Sequence, residues 1–160
     1  LIILVMGVSG SGKTSVGIAL AQRLRCPFVD ADRFHSDANR AKMAAGIPLT
    51  DEDRLPWLRT VGDAIRNASI RGQDHVFACS ALKADYRRIL DPLGECKIVY
   101  LQGSRDVLAA RLAARKDHFF NPDLLQSQLD TLEEPEGAIV VDITQSLPTI
   151  LSSIEAALAP

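Results

Sequence analysis

The chain has 160 residues, 47% of them hydrophobic, and a formal net charge of −2, which suits one domain over residues 1–160 with enough interior for a complete parallel sheet. It has no basic block and no interleaving of aromatic with basic residues, so nucleic-acid binding is not expected, and no apolar run approaches the length of a membrane span. Its three cysteines, Cys26, Cys79 and Cys96, have neither zinc-site nor redox-pair spacing, so a reducing cytoplasmic setting is expected, with Cys79 a small buried hydrophobe.

The first predicted strand, 1–6, is apolar, lacks a basic leader and runs into a glycine-rich turn. Its start at Leu1 rather than Met leads to the expectation that a short native N-terminus has been trimmed. Gly7-Val8-Ser9-Gly10-Ser11-Gly12-Lys13-Thr14 follows, matching G-x-x-x-x-G-K-[ST] between a strand and a helical pattern. In such a loop successive backbone N–H groups converge on phosphate oxygens, and the next helix adds its positive dipole end. Gly7, Ser9, Gly10, Ser11, Gly12, Lys13, Thr14 and Ser15 are therefore candidate nucleotide contacts. Lys13 would balance the β and γ phosphates, and the Thr14 hydroxyl would reach Mg²⁺, a metal such sites hold with few protein ligands.

No guanine-reading N-K-x-D segment is present, which argues against a switch GTPase. The third apolar run ends in Cys79-Ser80-Ala81 instead of an aspartate, which argues against an oligomeric motor ATPase.

The second predicted strand, 27–31, runs into Asp30-Ala31-Asp32. Alternation predicts both carboxylates on one side at the strand's C-terminal end, where open α/β sheets bind ligands. Asp30 suits the waters around Mg²⁺. Asp32 suits the hydroxyl that attacks the γ-phosphate. Solvated turn caps are the alternative for the pair.

A long connection of about 32–71 follows, with helical spacing at Leu58, Val61, Ile65 and Ala68; connections of this length usually carry function. Within it His35 is a candidate for a sugar hydroxyl or an ordinary surface histidine, Arg54 is a candidate cation, and Trp57 is expected in the core. The third strand, 75–81, leads to a predicted helix on which Lys83 and Arg87, four apart, share a face; His75 is expected to be structural. After the fourth strand, 97–102, Arg111 and Arg115 lie one helical turn apart. Closure of a lid over about 115–122 would bring one onto the phosphates and the other onto the nucleotide, here Arg115 and Arg111 respectively. That lid contains Lys116, His118, Phe119, Phe120 and a helix-starting Asn121-Pro122; His118 either caps a helix or touches substrate. A fifth strand, 138–143, and a helix with Ile150, Ile154 and Leu158 complete the chain. Five strands alternating with helices predict an α/β fold of the P-loop NTPase type: a five-stranded parallel sheet between two helical layers, buried on both faces.

The motif set resembles the gluconokinases of the shikimate-kinase-like P-loop group over nearly the whole chain. The resemblance rests on GVSGSGKT, Asp30-Ala31-Asp32 with His35, Asn39 with Lys42-Met43, Gly46 with Pro48-Leu49, and Asp53-Arg54 with Pro56-Trp57-Leu58. It continues through Cys79-Ser80-Ala81-Leu82-Lys83 with Tyr86-Arg87, His118-Phe119, and Ser127-Gln128 with Leu132-Glu133. Ala31 and Phe34 depart from the Gly and Leu of many relatives. The resemblance implies transfer of the ATP γ-phosphoryl group to the 6-hydroxyl of D-gluconate, Mg²⁺ dependence and a homodimer. It makes Lys13, Asp32 and Arg115 the expected catalytic residues, and Asp32, His35, Arg54, Lys83 and Arg87 the expected substrate contacts. Thr14 and Asp30 are the expected metal-side residues.

Overall fold

The computed structural model describes residues 1–115 and 122–160. The expected lid, with Lys116, His118, Phe119, Phe120 and Asn121, lies outside them except for its two ends. Five strands, β1 (Ile2–Met6), β2 (Phe28–Asp30), β3 (His75–Ala78), β4 (Lys97–Gln102) and β5 (Ile139–Asp142), form one sheet in the order β2-β3-β1-β4-β5 with every pairing parallel. The apolar runs are the strands, and the sheet has the expected helices on both faces. Burial on both faces holds for β1, all of whose residues are buried. It fails at the edges, because an edge strand has a neighbour on one side only: β2 is half-buried throughout, and Val140 of β5 is 55% exposed. β3 also ends sooner than the 75–81 run, since Ala81 adopts a left-handed φ of 47° that an extended strand does not allow.

Among the described residues the helices are α1 (Lys13–Leu24), α2 (Asp37–Ala44), α3 (Asp51–Ile70), α4 (Ala84–Leu90), α5 (Arg105–Ala113), α6 (Pro122–Thr131) and α7 (Leu147–Leu158). α1 lies against β1, β2 and β3 and pairs with α7, whereas α3 lies on β1 and pairs with α4. The connection over 32–71 is not irregular, as its length suggested. It is a 3₁₀ turn (Ala31–Phe34) followed by α2 and the 20-residue α3.

Local chemistry explains why both helices start where they do. Ser36 caps α2, its Oγ accepting the Asn39 N–H at 3.1 Å. α3 opens with a reciprocal capping box: the Asp53 N–H donates to Thr50 Oγ1 at 3.0 Å, and the Thr50 N–H donates to Asp53 Oδ2 at 2.9 Å. Asp51, Glu52 and Asp53 crowd the first turn, where the helix dipole favours negative charge. These caps fix the entry of α3, and α3 carries Arg54 and Trp57.

Close packing of α3 on α4 depends on a missing side chain. A Cβ at Gly62 would lie 2.9 Å from the Ile89 carbonyl oxygen, a backbone atom that cannot swing aside. Gly62→Val is expected to force the helices apart and destabilise the fold by about 1–3 kcal/mol, the usual range for overpacking, as measured by urea unfolding.

Candidate functional site

The phosphate-binding loop leaves the C-terminal end of β1, the central strand, and enters α1 at Lys13. Its curl needs glycine at residue 10: φ is +85°, and a Cβ there would lie 2.9 Å from Leu112 Cγ of α5. Inside the loop the Ser11 N–H donates to the Val8 carbonyl at 3.2 Å, and Lys13 Nζ donates to the same oxygen at 3.1 Å. Ser11 Oγ is buried without a partner among the described residues, a polar atom in the cradle that the protein leaves unsatisfied.

Burial pulls the Lys13 pKa below its ordinary value. Asp32 and Asp30 oppose that pull, and the Arg115 guanidinium adds to it. The two carboxylates therefore act as the counter-charge of the loop lysine, although not by the expected route. Asp30 ends β2, but Asp32 sits in the 3₁₀ turn, and Asp30 caps that turn by accepting the Asp32 N–H at 3.0 Å. The strand end brings Asp30 to Lys13, and the turn after it, not strand alternation, brings Asp32. Asp32 is accessible at a mouth crowded by protein atoms, which raises its carboxyl pKa; Lys13 pulls the other way.

Asp30 has a second partner, since Thr14 Oγ1 donates to its Oδ2 at 3.2 Å. These adjacent hard oxygens fit a Mg²⁺ that arrives with nucleotide phosphates; two protein donors alone are too few for octahedral coordination. Cys79, at the end of β3, is 1% exposed and its thiol is pushed up to about 12 by burial. It is an inert part of the core.

Lys13 and Asp32 form one side of a cleft that His35, Arg54, Trp57 and Gln128 also line. Trp57 is buried as expected but is also part of the site. Its Nε1 donates to the Ala31 carbonyl at 2.8 Å, and its ring stacks on His35 with centroids 4.0 Å apart. His35 is 8% exposed, and burial first, then Arg40 and Arg54, lower its pKa to about 4. Arg54 is steadied by Tyr86, whose hydroxyl accepts from Arg54 Nη1 at 2.9 Å and donates to Asp51 Oδ1 at 2.5 Å.

Gln128 of α6 reaches the phosphate loop itself, its Oε1 accepting the Ser9 N–H at 2.7 Å. Residue-by-residue reading assigned no role to Gln128, Asn39 or Tyr86. Each is a neutral polar residue with at least one partner on another element, and only the motif match marked them.

The other expected site residues divide. Arg111 lies beside the loop, with Nη1 3.8 Å from the Cβ position of Gly12 and Nη2 donating to the Ile143 carbonyl. Arg115 lies just past the α5 cap at Ala114, so the two arginines do not share one helix, although Arg115 reaches Lys13 by its charge. Lys83 is the α4 N-cap residue, pairs with Asp51 at 3.3 Å and does not line the cleft.

Arg87 is turned to another task. Its Nη1 donates to the carbonyls of Ala81 at 2.7 Å and Leu82 at 3.3 Å, and its Nη2 to that of Glu133 at 2.9 Å. It braces the strained Ala81 turn against the segment after α6 and does not face a ligand with Lys83.

Comparison with known proteins shows the family. The shikimate kinase family model matches residues 9–147. A mouse (Mus musculus) protein described as a probable gluconokinase is 47% identical, with 98% of this chain and 97% of that protein covered. The chain belongs to the gluconokinase family. The thermoresistant gluconokinase of Escherichia coli is 41% identical over 95% of this chain and 90% of its own. The crystal structure of a gluconokinase from Sinorhizobium meliloti superposes with a TM-score of 0.87 at 46% identity, covering 98% and 90% of the two chains. Members of this family are ATP-dependent kinases.

The Arg54 clamp yields a test. Tyr86→Phe removes the oxygen that receives the guanidinium, so Arg54 gains freedom without losing its charge. The expected result is an acceptor KM raised about three- to tenfold, roughly the worth of one lost hydrogen bond, with the KM for ATP unchanged in steady-state kinetics.

Proposed function

We propose that this chain is a gluconokinase, transferring the ATP γ-phosphoryl group to the 6-hydroxyl of D-gluconate to give 6-phosphogluconate and ADP. The observation that carries this reading is that Lys13 and Asp32, beside the phosphate loop, share one cleft with His35 and Arg54. This juxtaposes a phosphate cation and a base with a neutral ring and a guanidinium suited to a hydroxylated acid. We extend the reading to the whole chain acting as one kinase domain over 1–160, to a homodimer and to a cytoplasmic setting. Among the described residues no helix is long and apolar enough to cross a membrane.

In the proposed mechanism the loop amides and Lys13 hold the β and γ phosphates, with Arg111 on the nucleotide and Arg115 on the transferring group. Thr14 and Asp30 hold Mg²⁺, which supplies charge neutralisation for the phosphates when bound. Asp32 takes the proton of the acceptor hydroxyl as the new O–P bond forms; the bond between Pγ and the β–γ bridging oxygen breaks, and ADP leaves with that electron pair. A carboxylate with a raised pKa is the better proton acceptor for this step. Arg54 is the cation placed for the sugar carboxylate, and His35 meets a hydroxyl. Of the other two proposed cations, Lys83 is held by Asp51 at the rim and Arg87 is committed to backbone carbonyls.

ADP release with Mg-ATP, measured against D-gluconate, other aldonates, shikimate, a nucleoside monophosphate and no acceptor, tests the reading. Turnover is expected with gluconate, and turnover with shikimate alone would refute the proposal. Asp32→Asn is expected to lower kcat by about 10²–10⁴-fold, the scale of general base catalysis, while ATP affinity measured by calorimetry stays within about threefold. The pH profile follows from the direction of the Asp32 shift. The base works ionised, so kcat/KM falls as pH drops through the raised folded pKa, above the ordinary value of 3.8. Asp32→Asn removes that limb.

A further inference from the structure

The hydrogen bonds behind His35 determine more than its position. Asn39 of α2 is 5% exposed, and its Nδ2 lies 2.9 Å from the Asp53 carbonyl oxygen, an atom that can only accept. The nitrogen end of the carboxamide therefore faces Asp53, because the flipped amide would set two oxygens against each other. The same Nδ2 lies 3.3 Å from His35 Nδ1. An amide nitrogen offers hydrogens and no acceptor lone pair, so His35 Nδ1 meets it unprotonated. A neutral imidazole then carries its hydrogen on Nε2. That nitrogen has no partner among the described residues, on a ring that lines the cleft.

Taking the cleft as the acceptor site of the proposed kinase, we infer that Asn39 is a positioning residue that locks His35 as the Nε2–H tautomer. His35 thereby becomes a neutral donor that recognises a lone pair on a substrate hydroxyl. Protonating the ring would put an Nδ1–H against the Asn39 N–H, so the same contact opposes the cation.

Charges around the ring reinforce this. Arg40 of α2 and Arg54 of α3 disfavour a positive imidazole, while Asp32 and Lys13, which line the same cleft, are each other's counter-charge. Asp53, whose carboxylate would favour the cation, is turned away. Lys42 binds its Oδ2 at 2.8 Å and, with Thr50, holds its pKa down to about 2. Asp53 thus shows the ring only its carbonyl, relayed through Asn39. The capping box that starts α3 is also what fixes the tautomer.

The ring should therefore stay neutral at pH 5.5, where a free histidine of pKa 6.5 is largely charged. ¹⁵N-edited NMR of the intact protein reads this directly, because the chain holds only three histidines, His35, His75 and His118; His35→Gln assigns the signal. The expected result for the wild-type protein at pH 5.5 and 7.5 is a neutral His35 with its hydrogen on Nε2. An Nδ1–H tautomer, or a ring that titrates near 6.5, overturns the inference without any need for a variant to fold.

Asn39→Asp replaces the donor by an acceptor. It is expected to move the hydrogen to Nδ1 or to charge the ring, and to raise the KM for gluconate about tenfold while that for ATP stays within about twofold. A variant whose tautomer and gluconate KM match the wild type overturns the role of Asn39. Absence of gluconate turnover from a wild-type protein that shows the Nε2–H tautomer, lost in Asn39→Asp, refutes the gluconokinase reading and upholds the positioning role.

Discussion

The arrangement of this molecule depends on keeping one ammonium charged where charge is disfavoured. Lys13 must sit at the base of the phosphate loop to meet phosphates, and there burial lowers its pKa. Asp32 and Asp30 supply the opposing field, and the Val8 carbonyl accepts from Nζ at 3.1 Å. Lys13 and Asp30 are half-buried and Asp32 is exposed, so water screens part of that field. The position of β2 follows from this need: it reaches the sheet through β3, it ends at Asp30, and the 3₁₀ turn that follows carries Asp32 to a lysine on the helix after β1.

The same acids are thereby shaped for different work. Asp30 spends its two oxygens on the Asp32 N–H and the Thr14 hydroxyl, so it is fixed beside Thr14. Asp32 accepts no hydrogen bond from a described side chain, and its pKa is raised by crowding. A carboxylate held by donors is a poor base, and one left partly unsatisfied is a better one. The proposal that Asp30 takes the metal side and Asp32 acts as the base rests on this difference in hydrogen bonding, which chain order alone does not give.

How much was legible in the sequence depended on range. The five strands were visible as Val- and Ile-rich runs because burial in a parallel sheet leaves a compositional mark, and the loop was visible because glycine tolerance and the Lys-Thr pair are contiguous. The 3₁₀ turn over Ala31–Phe34 was not legible: Asp32 reads equally well as the end of a strand until the Asp30 cap is seen. Arg87 shows the limit in the other direction. A cation one helical turn from Lys83 looks like a second ligand contact, but three backbone carbonyls claim it, and backbone acceptors carry no sequence signature. Trp57 was legible as core, yet its use as the platform for His35 depends on a ring contact across 22 residues.

Neutral residues were hardest to read and have large consequences here. His35 and Trp57, with Asn39 behind the histidine, share the cleft with Lys13 and Asp32 without adding a charge at neutral pH. The chemistry of the site demands this restraint. A cationic His35 would compete with Lys13 for Asp32, lower the basicity of that carboxylate, and repel Arg54. By holding the ring through a nitrogen that only donates, Asn39 keeps a hydrogen-bond donor in the cleft while leaving its electrostatics to the lysine, the two acids and the arginines. The helix cap at Thr50 and Asp53 therefore serves stability and recognition together: it satisfies backbone groups at the start of α3, and it holds the Asp53 carbonyl that orients Asn39.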